Sequence, residues 1–356
     1  MKDIEPVLFR LISVGLRASN DCCFPKDVDW DGIYKIATEQ GVASICLDGL
    51  QYLHQSIILP HSIKIKWIVS ALQQEHLYNA QWKAANDLAK LWHDAGLHIY
   101  VMKGLALANL YPRASVRYSC DMDCFLTREN EWDGEKGNRI VESLGIEVDR
   151  SYYKNSKFCF NGLTVENHHY LLPVKGSKKA KRFERWLRGQ MMTTKDKYIG
   201  DSYLQAPSDM FNAVYILAHA QEHFLEEGIV LKHICDWAMV LKAYAHVVDW
   251  SEWKRVCSIY GLLTFGYAMS RLANKICGVI VPFDCPKDEE AERRLLDDTL
   301  YREVGDNALR SNLRVRIHLT KKMFCNSWKY RLFSDTNSLM FCVRRVGGFL
   351  FEKGLS

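Results

Sequence analysis

Asp121-Met122-Asp123 lies in a short run, about residues 120–126, whose composition reads as a β-strand. Side chains alternate along a strand, so Asp121 and Asp123 share one face while Met122, Cys124 and Leu126 share the other. Two neighbouring carboxylates repel unless a cation compensates them, and a magnesium pair bridging nucleotide phosphates is one chemistry that needs this arrangement. A solvated acidic edge shows the same D-x-D spacing, so the surroundings carry the argument. Upstream, Lys103-Gly104 follows a predicted strand, residues 98–102, and precedes a predicted short helix, which sets an ammonium and backbone amides where phosphates can be held. Arg113 and Arg117 flank the turn before the acids. Downstream, Glu166 stands on the second arm of a hairpin turning at Asn161-Gly162, with Thr164 and His168 on its own face. A neighbouring strand can thus bring a third carboxylate beside the aspartates.

Other residues compete for attention. His219-Ala220-Gln221-Glu222-His223 fits H-x-x-E-H, in which two histidines one turn apart bind zinc and the glutamate activates water. No third ligand stands out downstream, and half-buried helix residues are the plainer reading. Lys232 and Asp236 have the i, i+4 spacing of an intrahelical ion pair, worth roughly 0.2–0.5 kcal/mol, and equally the spacing of two cleft residues. One basic stretch holds Lys175, Lys178, Lys179, Lys181, Arg182, Arg185 and Arg188 with Phe183 and Trp186; another holds Arg310, Arg314, Arg316, Lys321, Lys322, Lys329 and Arg331 with Phe324, Trp328 and Tyr330. Basic residues interleaved with aromatics suit nucleic acid, though a solvated helix face explains each. The first adjoins the acidic hairpin and is the candidate for a phosphate-rich acceptor such as RNA.

The elements that position these residues follow from changes of period. Helical spacing dominates residues 1–96, including a long helix at about 62–95 with Ile65, Ile68, Leu72, Ala84, Leu88 and Leu91 at three-and-four spacing and Gly96 as its cap. Strand-like runs and short helices fill 97–206. Helical spacing returns over 207–356, with helices expected at about 209–225, 230–245, 249–260 and 264–277, and Asp249-x-x-Glu252 in the form of a capping box. The expected architecture is α/β: a small mixed sheet between an N-terminal helical segment and a C-terminal helical domain. In the 356 residues, apolar types make up 48 %, enough for a substantial core, and the net charge of +5 is mild. The opening residues Met1 to Pro6 mix charge signs, and no apolar run has the length of a bilayer span, so neither a signal peptide nor a membrane is expected. Twelve scattered cysteines without a paired C-x-x-C motif fit a reducing cytoplasm.

The run from Val101 to Pro112 with Lys103-Gly104, then Arg117, then Asp121-Met122-Asp123-Cys124-Phe125-Leu126, resembles the nucleotidyltransferase superfamily, in particular a bacterial branch of uncharacterised members with a lysine-glycine, arginine, D-x-D signature. Glu166-Asn167-His168 is similar to that branch's later acidic strand, and the likeness continues through His219, His223 and Asp236. Leu105 stands where the broader superfamily has serine. The resemblance implies a nucleotidyltransferase core in which Asp121, Asp123 and Glu166 are catalytic and ligate two magnesium, or manganese, ions. It implies nucleotide contacts from Lys103, Gly104, Arg117, His219, His223 and Asp236. The implied reaction moves an NMP from an NTP to a hydroxyl on a small molecule, RNA or protein side chain, releasing pyrophosphate. Two other expectations stand beside it: a nucleotide-binding protein of this fold without turnover, and a zinc metallopeptidase using His219, Glu222 and His223.

Overall fold

The computed structural model describes residues 4–19, 24–25, 27–52, 59–129, 131–174, 177–193, 197–301 and 326–335. Helices α1 (Ile4–Gly15), α2 (Trp30–Glu39), α3 (Ala43–Leu50) and the long α4 (His61–Asp94) lead into the sheet region. There follow β1 (His98–Met102), α5 (Gly104–Ala108), β2 (Asp121–Arg128), β3 (Glu131–Trp132), α6 (Gly134–Ser143), β4 (Asn155–Phe160), β5 (Leu163–His168), α7 (Lys178–Met191) and β6 (Leu204–Gln205). The chain then turns helical through α8 (Asp209–Glu226), α9 (Leu231–Ala243), α10 (Trp250–Tyr260), α11 (Leu263–Cys277), α12 (Glu289–Tyr301) and α13 (Ser327–Phe333). The mixed α/β architecture with flanking helices is the one expected.

The six strands form one mixed sheet in the order β4-β5-β2-β1-β6, with β3 alongside β2. The β4–β5 hairpin turns at Asn161 and Gly162 with φ of 49° and 81°, the consecutive positive angles that favour this dipeptide. Strand β2 is central, antiparallel to β1 and parallel to β5. Its two faces part as alternation requires. Met122, Cys124 and Leu126 join Ile99, Val101 and Val165 in a core against Leu88 and Trp92 of α4. On the opposite face Phe125 joins Tyr100 and Met102 in the larger core, shared with α8, α9 and α11 and with α1–α3. The sheet is thus held between α4 and the C-terminal helices, with its acidic positions facing the latter.

Two local expectations are corrected. In the first half of α4, Ile65, Ile68 and Leu72 are 48 %, 39 % and 60 % exposed, while Ile63, Trp67 and Ala71 are buried. The tryptophan decides the rotation, because its indole donates to the Ala43 carbonyl at 2.8 Å and meets Tyr34 edge-on. Ala84 and Leu88 are buried as expected, and Gly96 closes the helix with φ of 77°. At α10, Asp249 caps the amides of Ser251 and Glu252, but Glu252 turns to Arg255 at 2.6 Å, so only half of the capping box forms.

Candidate active site

Parallel pairing of β2 with β5 sets Asp123 directly opposite Glu166 and Asp121 opposite Thr164. All three carboxylates therefore lie on the face turned towards α8 and α9. Asp123 is buried, with one carboxylate oxygen 2.9 Å from Lys103 Nζ and the other 2.9 Å from His168 Nε2. Burial alone would raise its pKa, but Lys103 and His168 outweigh it and hold the carboxyl well below the usual range. Asp121, at the strand's mouth, has no hydrogen bond or ion pair on its carboxylate among the described residues, and burial followed by the charge of Asp123 raises its pKa. Glu166 accepts from Asn155 Nδ2 at 2.6 Å and faces Lys157 at 3.5 Å.

His168 is the residue whose role sequence reasoning missed. Its face was legible, but its partners were not. Nδ1 sits 3.0 Å from the Tyr170 carbonyl and therefore donates, while Nε2 faces Asp123 and lies 3.8 Å from Glu166. Asp123, Glu166 and His168 are the group among the described residues whose ligating atoms all fall within 4.8 Å of one another, as a metal site requires. Asp121, its carboxylate without an ion pair among the described residues, stands beside this group. Its oxygen chemistry, with that of Asp123 and Glu166, suits a hard divalent cation.

Lys103 reaches the site through a strained elbow. Its backbone sits at φ 52° and ψ −145°, a region costly for a residue with a side chain, and the strain is of the order of 1–3 kcal/mol. Gly104 follows at φ 38°, and a Cβ there would stand 3.2 Å from both the Asp121 carbonyl and Ser119 Oγ. The turn can close over the start of β2 because residue 104 has no side chain.

Helix α8 forms the opposite wall. Lys103 Nζ also lies 2.9 Å from His219 Nε2, and because an ammonium only donates, Nε2 accepts. His223 Nε2 is 3.1 Å from the same atom. Burial, then the charge of Lys103, drives the His219 pKa well down, and His223 follows for the same causes. The H-x-x-E-H residues do not assemble as a metal site among the described residues: His219 is bound to Lys103, while Glu222 faces Lys154 at 3.5 Å.

Arg117 and Asp236 come together as a buried bidentate pair, Nε and Nη2 each 2.8 Å from a carboxylate oxygen, and the Tyr111 hydroxyl donates to the same carboxylate at 2.7 Å. This ties the loop before β2 to α9. Lys232 does not form the ion pair with Asp236 that its spacing suggested; its Nζ lies 5.6 Å over the Tyr118 ring. Arg113 turns away to Asp48 at 2.7 Å and Glu75 at 3.4 Å. In the first basic stretch Lys178, Lys181, Arg182 and Arg185 are exposed on α7, Lys179 pairs with Asp335, and Arg188 is taken up by Glu184 and the Phe125 and Tyr170 rings. Lys175, and Arg310 to Phe324 of the second stretch, lie outside the described residues. Lys329 is buried against Asp298 at 2.7 Å.

No helix among the described residues is long and apolar enough to cross a membrane. Comparison with curated proteins and with solved structures finds no match. A family model described as uncharacterised nucleotidyltransferase matches residues 26–278, a span that takes in the elbow, the three carboxylates, α8 and α9. The chain belongs to this family of uncharacterised nucleotidyltransferases.

Proposed function

We propose that the protein transfers a nucleoside monophosphate from an NTP to a hydroxyl acceptor, with Asp121, Asp123 and Glu166 holding a pair of magnesium or manganese ions. The observation that carries this reading is the cross-strand register: Asp123 opposite Glu166, with Asp121 on the same face and its pKa raised by burial and the charge of Asp123. The ions, when bound, supply Lewis-acid charge for the phosphates and the acceptor oxygen. The residues do the rest. Lys103 and the Gly104 amide bind phosphate oxygens beside the carboxylates, and His219 holds the Lys103 ammonium from α8. Glu166 takes the proton of the acceptor hydroxyl, whose oxygen bonds to the α-phosphorus. The bond from phosphorus to the bridging oxygen breaks, and its electron pair leaves with pyrophosphate. Arg117 and Asp236 cancel each other's charge, so they position the loop that carries Asp121, while His223 fixes His219.

The acceptor is a small molecule, an RNA or a protein side chain, with the exposed cations of α7 as a surface for a phosphate-rich one. A specific observation favours a second reading: Asp123 is already neutralised by Lys103 and His168, as in a nucleotide-binding protein of this fold without turnover. Incubation with α-labelled NTPs, magnesium and pools of RNA, protein and small-molecule acceptors separates the two. Transfer expects label on an acceptor and matching pyrophosphate, both lost in Glu166→Gln; metal-dependent NTP binding without pyrophosphate from any pool supports the second reading.

A further inference from the structure

Several cations approach the acidic face, and most are already matched, Lys157 among them by Glu166 at 3.5 Å. Lys103 is held by Asp123, and Arg117 gives two of its nitrogens to Asp236. Lys232 is not matched. It lies one turn before Asp236 on α9, is half-buried, and has no hydrogen bond or ion pair on Nζ among the described residues. The Tyr118 ring lies beneath it at 5.6 Å, three positions before Asp121, and the charges of Lys232 and Asp121 are close enough to influence one another. Burial, then the charge of Arg117, pushes its ammonium below the ordinary lysine range, and the nearby charges of Asp236 and Asp121 offset this only in part.

We propose that Lys232, seated on Tyr118, is an anchor for the polyphosphate end of the donor nucleotide. The inference rests on the nucleotidyltransferase reading above. With the α-phosphorus at the carboxylates, a polyphosphate running towards α9 meets Lys232 as the free positive charge on that wall. Its ammonium then hydrogen-bonds the β- and γ-phosphate oxygens and neutralises the pyrophosphate as it leaves. Arg117, by contrast, acts on the nucleotide through the loop it fixes.

The test compares the full chain with Lys232→Met and Lys232→Arg by calorimetric titration with magnesium NTP, magnesium pyrophosphate and the matching NMP. Lys232→Met is expected to weaken NTP and pyrophosphate by about tenfold or more while leaving NMP within about twofold, and Lys232→Arg to recover most of the loss. Unchanged NTP affinity in Lys232→Met, or an equal loss for NTP and NMP, overturns the anchor while leaving the wild type's NTP binding intact. Absence of NTP binding in the wild type overturns the nucleotidyltransferase reading and the anchor with it. Amine-reactive labelling of the wild type avoids any folding defect of the variants: protection of Lys232 by magnesium pyrophosphate supports the anchor, and unchanged labelling overturns it.

Discussion

Asp121 and Asp123 are two residues apart on one strand, yet their surroundings give them opposite states. Asp123 is clamped between an ammonium and an imidazole, whereas at Asp121 burial and the charge of Asp123 outweigh the attraction of Lys103 and Lys232. A carboxyl whose pKa rises on folding destabilises the folded state wherever it is ionised, so Asp121→Asn is expected to raise the melting temperature by a few degrees in metal-free buffer while removing metal-dependent nucleotide binding. Calorimetric melts with and without magnesium check this; a lower melting temperature in metal-free buffer contradicts it. Gly104 gives the converse case. Its positive φ and its approach to Ser119 and the Asp121 carbonyl mean that Gly104→Ala strains the elbow, and a loss of about 1 kcal/mol in urea unfolding is expected along with weaker nucleotide binding. The aspartates, Lys103 and Gly104 were legible in the sequence because their spacing is local. The link from His168 to Asp123 was not, because a strand register between distant segments makes it.

Between elements, the decisive contact joins the loop before β2 to α9 through Arg117, Asp236 and Tyr111. Removing one partner of a buried pair strands the other charge, so Asp236→Ala is expected to cost about 3–5 kcal/mol in denaturant unfolding. Adding Arg117→Met to it should cost much less than the two single losses combined, and a double-mutant cycle gives the coupling; additive losses would show that the pair does not couple. The sequence offered Lys232 as the partner of Asp236 because i, i+4 spacing is all a helix reveals by itself. Arg117, far off in the chain, wins Asp236 through a bidentate fit that a single ammonium cannot match. The hairpin at Asn161-Gly162 was legible for the opposite reason, since its geometry is set by the two turn residues alone. The outward rotation of Ile65, Ile68 and Leu72 was hidden because α4 carries two competing apolar stripes, and the burial of Trp67 decides between them.

At the scale of the molecule, α8 and α9 wall the acidic face with histidines kept from charging. Burial, then the charge of Lys232, pushes His233 down to about 3 from 6.5, and His219 and His223 are also lowered. A histidine depressed on folding binds fewer protons than the unfolded chain, so stability is fully present above pH 6.5 and falls as the pH drops towards 3. His233 sets this window, and the lowering of His219 and His223 acts in the same direction. Urea unfolding between pH 7 and 5 should show the fall, and His233→Gln should flatten it; a flat wild-type profile would contradict the account. The central claim is that the carboxylates of β2 and β5 form a metal-dependent nucleotide site. It is tested most directly by calorimetric titration of the four NTPs, with and without magnesium, into the wild type and an Asp121→Ala, Asp123→Ala double variant. The account predicts binding that needs both the metal and the aspartates; binding to no NTP, or binding that survives the loss of either, would contradict it.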